Sequence, residues 1–315
     1  MAEASVIILS ENSAAYLDAL LLSVFVQSVQ DVEIIIVDNV SDERTLKLLN
    51  NYAIFDERIK LIKNKTKKSL ENCLKIGADK ATSPYLMFLD ATRHTYLAQS
   101  CLERQLYNIR KNNSDFVYMP CGVYDANTFE PTTIYQINPK DFVQKPVFTA
   151  DDLPANIIFR MYLSPWAKLF KREFLQKISY LTYEEPFFLE CLFKAERISF
   201  DLESLHALQA EIKDLRRPNV FDELKENKKV LLQFSKWERL KNPYIYHKMR
   251  NIWLEIMRAP MTEKPQIFEK MKAEFSKEDF SRYDFDFLRK EDLYWAIQNS
   301  VKLNWEDFKN LYIGG

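Results

Sequence analysis

The sequence predicts an α/β protein with a mainly parallel sheet and a helical C-terminal extension. Three observations carry that expectation. Short apolar runs stand at Ser5–Leu9, Glu33–Val37 and Tyr85–Leu89; segments of helical periodicity separate them; and after about Arg216 the composition turns to long charged helices with apolar stripes. Short runs rich in β-branched and aliphatic residues suit strands buried on both faces. Their alternation with helices over short links implies crossover connections between parallel neighbours.

Taken in order, Ser5–Leu9 is the first strand, and Asn12 or Ser13 can cap the helix that follows. In that helix Tyr16, Leu17, Leu20, Leu21, Val24 and Phe25 recur at helical spacing. Glu33–Val37 is a second buried strand ending at Asp38; a charged helix is expected over about 42–52, a short strand at Ile59–Ile62, and a helix over about 69–81 with Leu70, Leu74 and Ala78 on one face. Tyr85–Leu89 is the next strand, ending at Asp90. Beyond it, Asp115–Met119 and Thr133–Gln136 read as strands. Ser164–Phe170 and Tyr183–Phe187 each lead into a helix, and Ile198–Phe200 closes the sheet. The expected organisation is an α/β domain over 1–215 and a helical extension over 216–315, its segments punctuated by Pro218, Pro243, Pro260 and Pro265.

Composition excludes several function classes. With 315 residues, 47% hydrophobic and 28% charged, the chain can bury a full α/β core, and a formal net charge of −1 gives no electrostatic case for nucleic acid. Only Gly77 and Gly122 lie in the body of the chain, beside the terminal Gly314 and Gly315. That excludes the P-loop and the dinucleotide fingerprint, which need clustered glycines. Cys73, Cys101, Cys121 and Cys191 form no CxxC pair and are expected as free thiols in a reducing cytoplasm. No segment approaches the ~20 apolar residues of a membrane span. No Ser-His-Asp order or Cys-His pairing suggests covalent acyl chemistry.

In open α/β sheets, ligands sit beyond the carboxyl ends of the strands. Asp38 and Asp90 occupy such ends and are expected to leave adjacent strands at one rim, framing a common cleft. The alternative for each is a helix cap or a turn former.

Three stretches, QSVQDVEIIIVD (Gln27–Asp38), YLMFLD (Tyr85–Asp90) and PWAKLFKREFL (Pro165–Leu175), resemble in order and spacing the GT-A glycosyltransferases of the inverting family-2 type. The likeness covers roughly residues 5–205. It implies a nucleotide-sugar donor, and a saccharide or glycolipid acceptor in bacterial surface-polysaccharide assembly. Asp38 and Asn39 would contact the nucleotide base and ribose, Asn39 standing in place of the family's next aspartate and Ser41 falling on its serine. The likeness also implies magnesium or manganese on an Asp-Xaa-Asp cluster. Here the stretch reads Asp90-Ala91-Thr92-Arg93-His94, which leaves Asp90 as the one metal ligand. Hard cations want several oxygen ligands, so this is a poor cage; Asp90 and Arg93 are the expected diphosphate contacts instead, plain exposed loop residues being the alternative for Arg93 and His94. An arginine usual before the Gly77 region is replaced by Leu74, and His206 falls where some members bring a histidine to the metal.

Counted back from Ala195–Ile198, the family's catalytic base falls on Glu184, with Glu185 its neighbour and Tyr183 in place of the paired glutamate. First-turn carboxylates favoured by the helix dipole are the alternative for both. Trp166 offers a sugar or acceptor platform, or else a core residue; Lys168 falls on the family's lysine. The rival to an enzyme is a non-catalytic nucleotide-sugar-binding or scaffold protein. The stripe of Tyr246, Trp253 and Met257, with Lys248, Arg250 and Arg258 nearby, is expected to pack intramolecularly, the other uses being a homo-oligomer or contact with anionic lipid at the inner face of a membrane.

Overall fold

A computed structural model describes residues 2–125, 131–135, 143, 145–180, 182–201, 206–210, 219–284 and 292–314. The chain divides into two compact units, Met1–Ala210 and Glu211–Gly315. The expected boundary at 215/216 lies outside the described residues.

The first unit alternates as the apolar runs require: β1 (Ala4–Ser10), α1 (Leu17–Phe25), β2 (Val32–Asp38), α2 (Glu43–Phe55), β3 (Ile59–Lys63), α3 (Leu70–Lys80), β4 (Tyr85–Asp90), β5 (His94–Leu97) and α4 (Cys101–Asn112). There follow β6 (Phe116–Tyr118), β7 (Cys121–Asp125), β8 (Pro131–Tyr135), α5 (Ala155–Ile158), β9 (Leu169–Lys171), α6 (Arg172–Leu175), α7 (Glu184–Lys194), β10 (Ile198–Phe200) and β11 (His206–Ala210). Gln136, expected to end a strand, lies outside the described residues.

Seven strands form one sheet in the order β10-β6-β9-β4-β1-β2-β3. All neighbours are parallel except β9, which runs antiparallel to both β4 and β6. Two features of the sheet differ from the sequence expectation. Leu169 and Phe170 were expected on the way into a helix but are strand residues, because the gap between β4 and β6 supplies backbone partners on both sides; the helix that follows, α6, is a single turn. The strands carrying Asp38 and Asp90 are not adjacent: β1 lies between them, with Ser10 opposite Asp38 and Leu9 opposite Asp90. Both carboxylates thus stand at one rim, about 10 Å apart by the usual strand spacing.

The sheet is buried on both faces. On one, Val6, Ile8, Ile34, Ile36, Met87 and Leu89 pack with Leu17, Leu20 and Leu21 of α1 and Leu102, Leu106 and Ile109 of α4. On the other, α3 lies close enough to β1 that Gly77 leaves no room for a Cβ, and Phe88 and Phe116 meet Phe187 and Phe188 of α7. A four-stranded sheet, β5-β11-β7-β8, completes the unit. Neither Asn12 nor Ser13 caps α1 through its side chain; Ser13 closes the turn with its carbonyl, and its hydroxyl pairs with Ser10 at 2.8 Å.

The second unit holds α8 (Val220–Gln233), α9 (Trp237–Arg258), α10 (Lys264–Phe275), α11 (Asp292–Ser300) and α12 (Trp305–Tyr312). Pro243 lies inside α9 rather than at a break, while Pro265 opens α10. Trp253 packs edge-on against Phe308 and Tyr312, and Phe308 lies against Phe268, so this part of the aromatic stripe is turned inward within the unit. Lys248 does not face lipid: it is buried between Glu274 (2.8 Å) and Glu278 (2.6 Å). Among the described residues, no helix is long and apolar enough to cross a membrane.

Candidate active site

The rim at the carboxyl ends of β2, β1 and β4 collects the polar side chains. Asp90 ends β4 with 4% of its surface exposed, and its Oδ1 accepts from the Thr92 amide (2.9 Å) and the Thr92 hydroxyl (2.6 Å). That closes a tight turn of the kind short hydroxyl side chains favour. The turn brings Arg93 back over the strand end, with Nε 3.2 Å from Asp90 Oδ2. Its Nη2 donates to Glu184 Oε1 at 2.8 Å. Glu184 is the first residue of α7, where the helix dipole favours an anion. Its Oε2 accepts from the Ser164 hydroxyl at 3.0 Å.

One guanidinium is thus shared by two carboxylates from elements far apart in sequence. Burial pushes the Asp90 carboxyl up from its ordinary value, although Arg93 and Thr92 draw it down; the nearby Glu184 charge adds to the rise. Glu184 foremost, and then Asp90, hold Arg93 firmly in its charged form against desolvation.

Behind Ser164 stands Lys168, 0% exposed, whose Nζ donates to the Ser164 carbonyl at 2.5 Å. The rings of Tyr118, Tyr162 and Phe188 surround the ammonium at 5.0, 4.6 and 4.7 Å, a cation–π cage. Burial brings the Lys168 pKa down to about 7. The same burial pushes the nearby Cys121 thiol up to about 12.

Across β1, Asp38 is 1% exposed; its Oδ2 accepts from the Ser41 amide at 3.4 Å, and its Oδ1 is buried with no hydrogen-bond partner. Such an orphaned acceptor is uncommon and marks a place where a ligand donor can enter. Asn39 is fully engaged. Its amide donates to Glu11 Oε2 (2.7 Å) and the Lys68 carbonyl (3.0 Å), and its oxygen accepts from the Lys68 amide (2.9 Å) and Asn64 (3.3 Å). It brackets the loops after β1 and β3. Val40 takes φ 62, a left-handed conformation that is strained for a β-branched residue and is held at this rim.

The structure therefore brings Asp90, Arg93 and Glu184 into direct contact, and sets Asp38 and Asn39 on the same rim beyond β1. Glu185 is buried beside Glu184, at 8% exposure. Trp166 is 2% exposed and presents no ring face to solvent as a platform would; its indole N–H is buried without a partner. Leu74 is a buried residue of α3, and the side chain of His206, which opens β11, lies outside what the structure describes. Ser164 and Thr92 carry no periodic signal in the sequence. They join the site only because the turn after β4 and the loop before β9 meet at α7.

Among the described residues, no group of three or more His, Cys, Asp or Glu side chains could hold a metal ion. A cavity of about 370 Å3 lined by Lys75, Asp79, Arg172 and Tyr180 reaches Leu86 near the opposite end of β4 and contains none of these residues.

The mixed sheet, with its polar carboxyl rim, is the GT-A fold of the glycosyltransferases. The S. aureus TarS fragment 1–349, solved in complex with UDP-GlcNAc, superposes with a TM-score of 0.63 at 16% identity, covering 98% of this chain and 89% of that one. Residues 5–179, more than half of the chain, match the glycosyl transferase family 2 model, and the chain belongs to that family. Among curated relatives, the cholesterol galactosyltransferase of Borreliella burgdorferi is 26% identical over 279 residues, 76% of this chain and 75% of that protein. The uncharacterized glycosyltransferase EpsJ of Bacillus subtilis is 25% identical over 213 residues, 64% of this chain and 59% of that protein. An uncharacterized glycosyltransferase of Haemophilus influenzae is 32% identical over 109 residues, 35% of this chain and 43% of that protein. The chain thus spans less than two thirds of the length of these last two.

Proposed function

We propose that this chain transfers a sugar from a UDP-linked donor to a saccharide or glycolipid acceptor, with inversion at the anomeric carbon, in the assembly of a bacterial surface polysaccharide. The observation that carries the reading is the Arg93 guanidinium held between Asp90 and Glu184 at the carboxyl rim of the sheet. It places a cation for a diphosphate beside a carboxylate for proton abstraction.

In this reading the donor's base enters beside Asp38, whose unpartnered Oδ1 accepts an N–H from it. Asn39 shapes that end of the cleft through the loops it ties together. The acceptor hydroxyl oxygen attacks the anomeric carbon as the bond to the β-phosphate oxygen breaks. The hydroxyl proton passes to Glu184, and the nucleoside diphosphate leaves with its charge met by Arg93. Preorganised cations of this kind act where charge develops. The family's divalent cation does not fit the residues present. Asp90 is the lone carboxylate of the turn, its Oδ1 holds two Thr92 donors, and its Oδ2 faces a guanidinium. Arg93 takes over that charge.

Nucleotide release from a panel of UDP-sugars, compared between wild type and Glu184→Gln, tests the assignment. Turnover is expected to fall about 10²–10⁴-fold while the melting temperature holds. An unimpaired Glu184→Gln enzyme would remove Glu184 from the reaction. A second reading, a non-catalytic nucleotide-sugar binder, is favoured by one observation: both Glu184 oxygens already hold partners. Tight UDP binding with no nucleotide release from any donor would establish it.

A further inference from the structure

We infer that Arg93 is a latch on Glu184, opened by the arriving diphosphate, so that donor binding itself releases the base. The inference rests on the donor-binding reading above and adds an order of events to it.

Both Glu184 oxygens already accept a hydrogen bond, Oε1 from Arg93 and Oε2 from Ser164, so an acceptor hydroxyl that approaches Oε1 competes with a guanidinium for it. The two partners differ in freedom. Ser164 is 2% exposed, and its carbonyl is held by the caged Lys168. Arg93 has a side chain 42% exposed, against 22% for Glu184 and 5% for Asp90. It is the outermost of the three, on a long flexible stem, and an incoming anion meets it first. A diphosphate offers paired oxygens and more charge than one carboxylate, and a guanidinium fork matches that geometry.

When Arg93 turns to the diphosphate, Oε1 of Glu184 loses its cationic partner and opens to the acceptor, while Oε2 stays bonded to Ser164. Asp90 keeps both Thr92 donors on Oδ1 and gives up only the Arg93 contact on Oδ2. A half-exposed ion pair of this kind contributes a factor of up to about fivefold to an equilibrium, so the exchange is easily driven. An acceptor hydroxyl or water arriving before the donor would meet a base whose oxygens are both engaged.

The test is a double-mutant cycle on UDP affinity, measured calorimetrically on the full chain in EDTA. Wild type, Glu184→Gln, Arg93→Gln and the double variant are compared. The latch predicts that Glu184→Gln binds UDP about fivefold more tightly than wild type, because Arg93 is then held by one carboxylate, Asp90, instead of two. It predicts that Arg93→Gln weakens binding about tenfold or more. In the Arg93→Gln background, Glu184→Gln should give no further tightening. If that background is too weak to titrate, Arg93→Lys replaces it, and the gain from Glu184→Gln should shrink.

An undiminished gain without Arg93 would mean plain charge repulsion by Glu184, and would overturn the latch. So would a Glu184→Gln affinity equal to wild type. In both cases UDP still binds, and the donor reading stands. A folded chain that binds none of UDP, GDP and ADP would remove the donor reading and the latch together.

Discussion

Lys168 sets a cost that the rest of its surroundings must meet. An ammonium with 0% exposure has lost its hydration, and three aromatic faces and one carbonyl replace only part of it. With its folded pKa brought down to about 7, the folded chain gives up a proton that the unfolded chain holds until about pH 10.4. The unfolded state therefore binds more protons between those values, and stability should rise with pH across that window, by up to about 1.4 kcal/mol per pH unit. Below pH 7 both states are protonated and the burden is constant. Lys168→Met lacks the titrating group, so urea unfolding of the two proteins from pH 6 to 10 should give a stability difference that climbs in favour of wild type. A flat difference would mean that the cage holds the ammonium fully charged throughout. Asp38 and Asp90 were legible as rim carboxylates because each ends a strand that periodicity defines, whereas Glu184 was singled out only through the family resemblance. The Lys168 cage and the Ser164 hydroxyl were not, since they depend on loops that meet only after the sheet has formed. Asn39 was legible as a rim residue but not as a bracket whose every hydrogen-bonding position is filled.

At the level of elements, α3 packs tightly on β1. A Cβ built on Gly77 would lie 2.3 Å from Ile7 Cγ2 and 3.4 Å from Val37 Cγ2. Ile7 is 1% exposed, and its Cγ2 is fixed directly to Cβ, so it cannot swing aside. Gly77→Ala would gain about 1 kcal/mol of helix propensity. Against that, forcing α3 away from β1 costs about 1–3 kcal/mol by overpacking. A net loss of up to about 2 kcal/mol is expected, read as a lower urea midpoint with unchanged slope. A midpoint at or above wild type would show that the helix shifts freely. The same packing explains which elements the sequence disclosed. Runs such as Glu33–Val37 are apolar on both faces because α1 and α4 cover one side and α3 and α7 the other. The position of β9 was hidden: three residues, antiparallel between β6 and β4, carry too little periodicity to separate strand from helix. The intervention of β1 between β2 and β4 was equally hidden, because strand order is a property of the crossovers and not of any one run.

For the molecule as a whole, a formal net charge of −1 supplies no general field to draw in an anionic donor. Recognition of a diphosphate must then depend on local charge. The described residues that meet at the end of β4 offer one cation and two carboxylates, a combination that binds an anion only if the cation can be presented to it. A divalent ion bound by Asp90 would first have to displace Arg93 from Oδ2, exchanging one positive partner for another at a carboxylate that burial already disfavours as an anion. The consequence is measurable on the intact chain. At about 100 times its dissociation constant, UDP should add about 2.7 kcal/mol to stability, and the shift in melting temperature should be the same in EDTA and in manganese. At that same UDP concentration, Arg93→Ala should lose about half of the shift or more in both conditions, while Asp38→Ala weakens it through the base and not the phosphates. An added increment in manganese would instead make Asp90 a metal ligand through the Oδ2 that Arg93 vacates, and would overturn the metal-free reading.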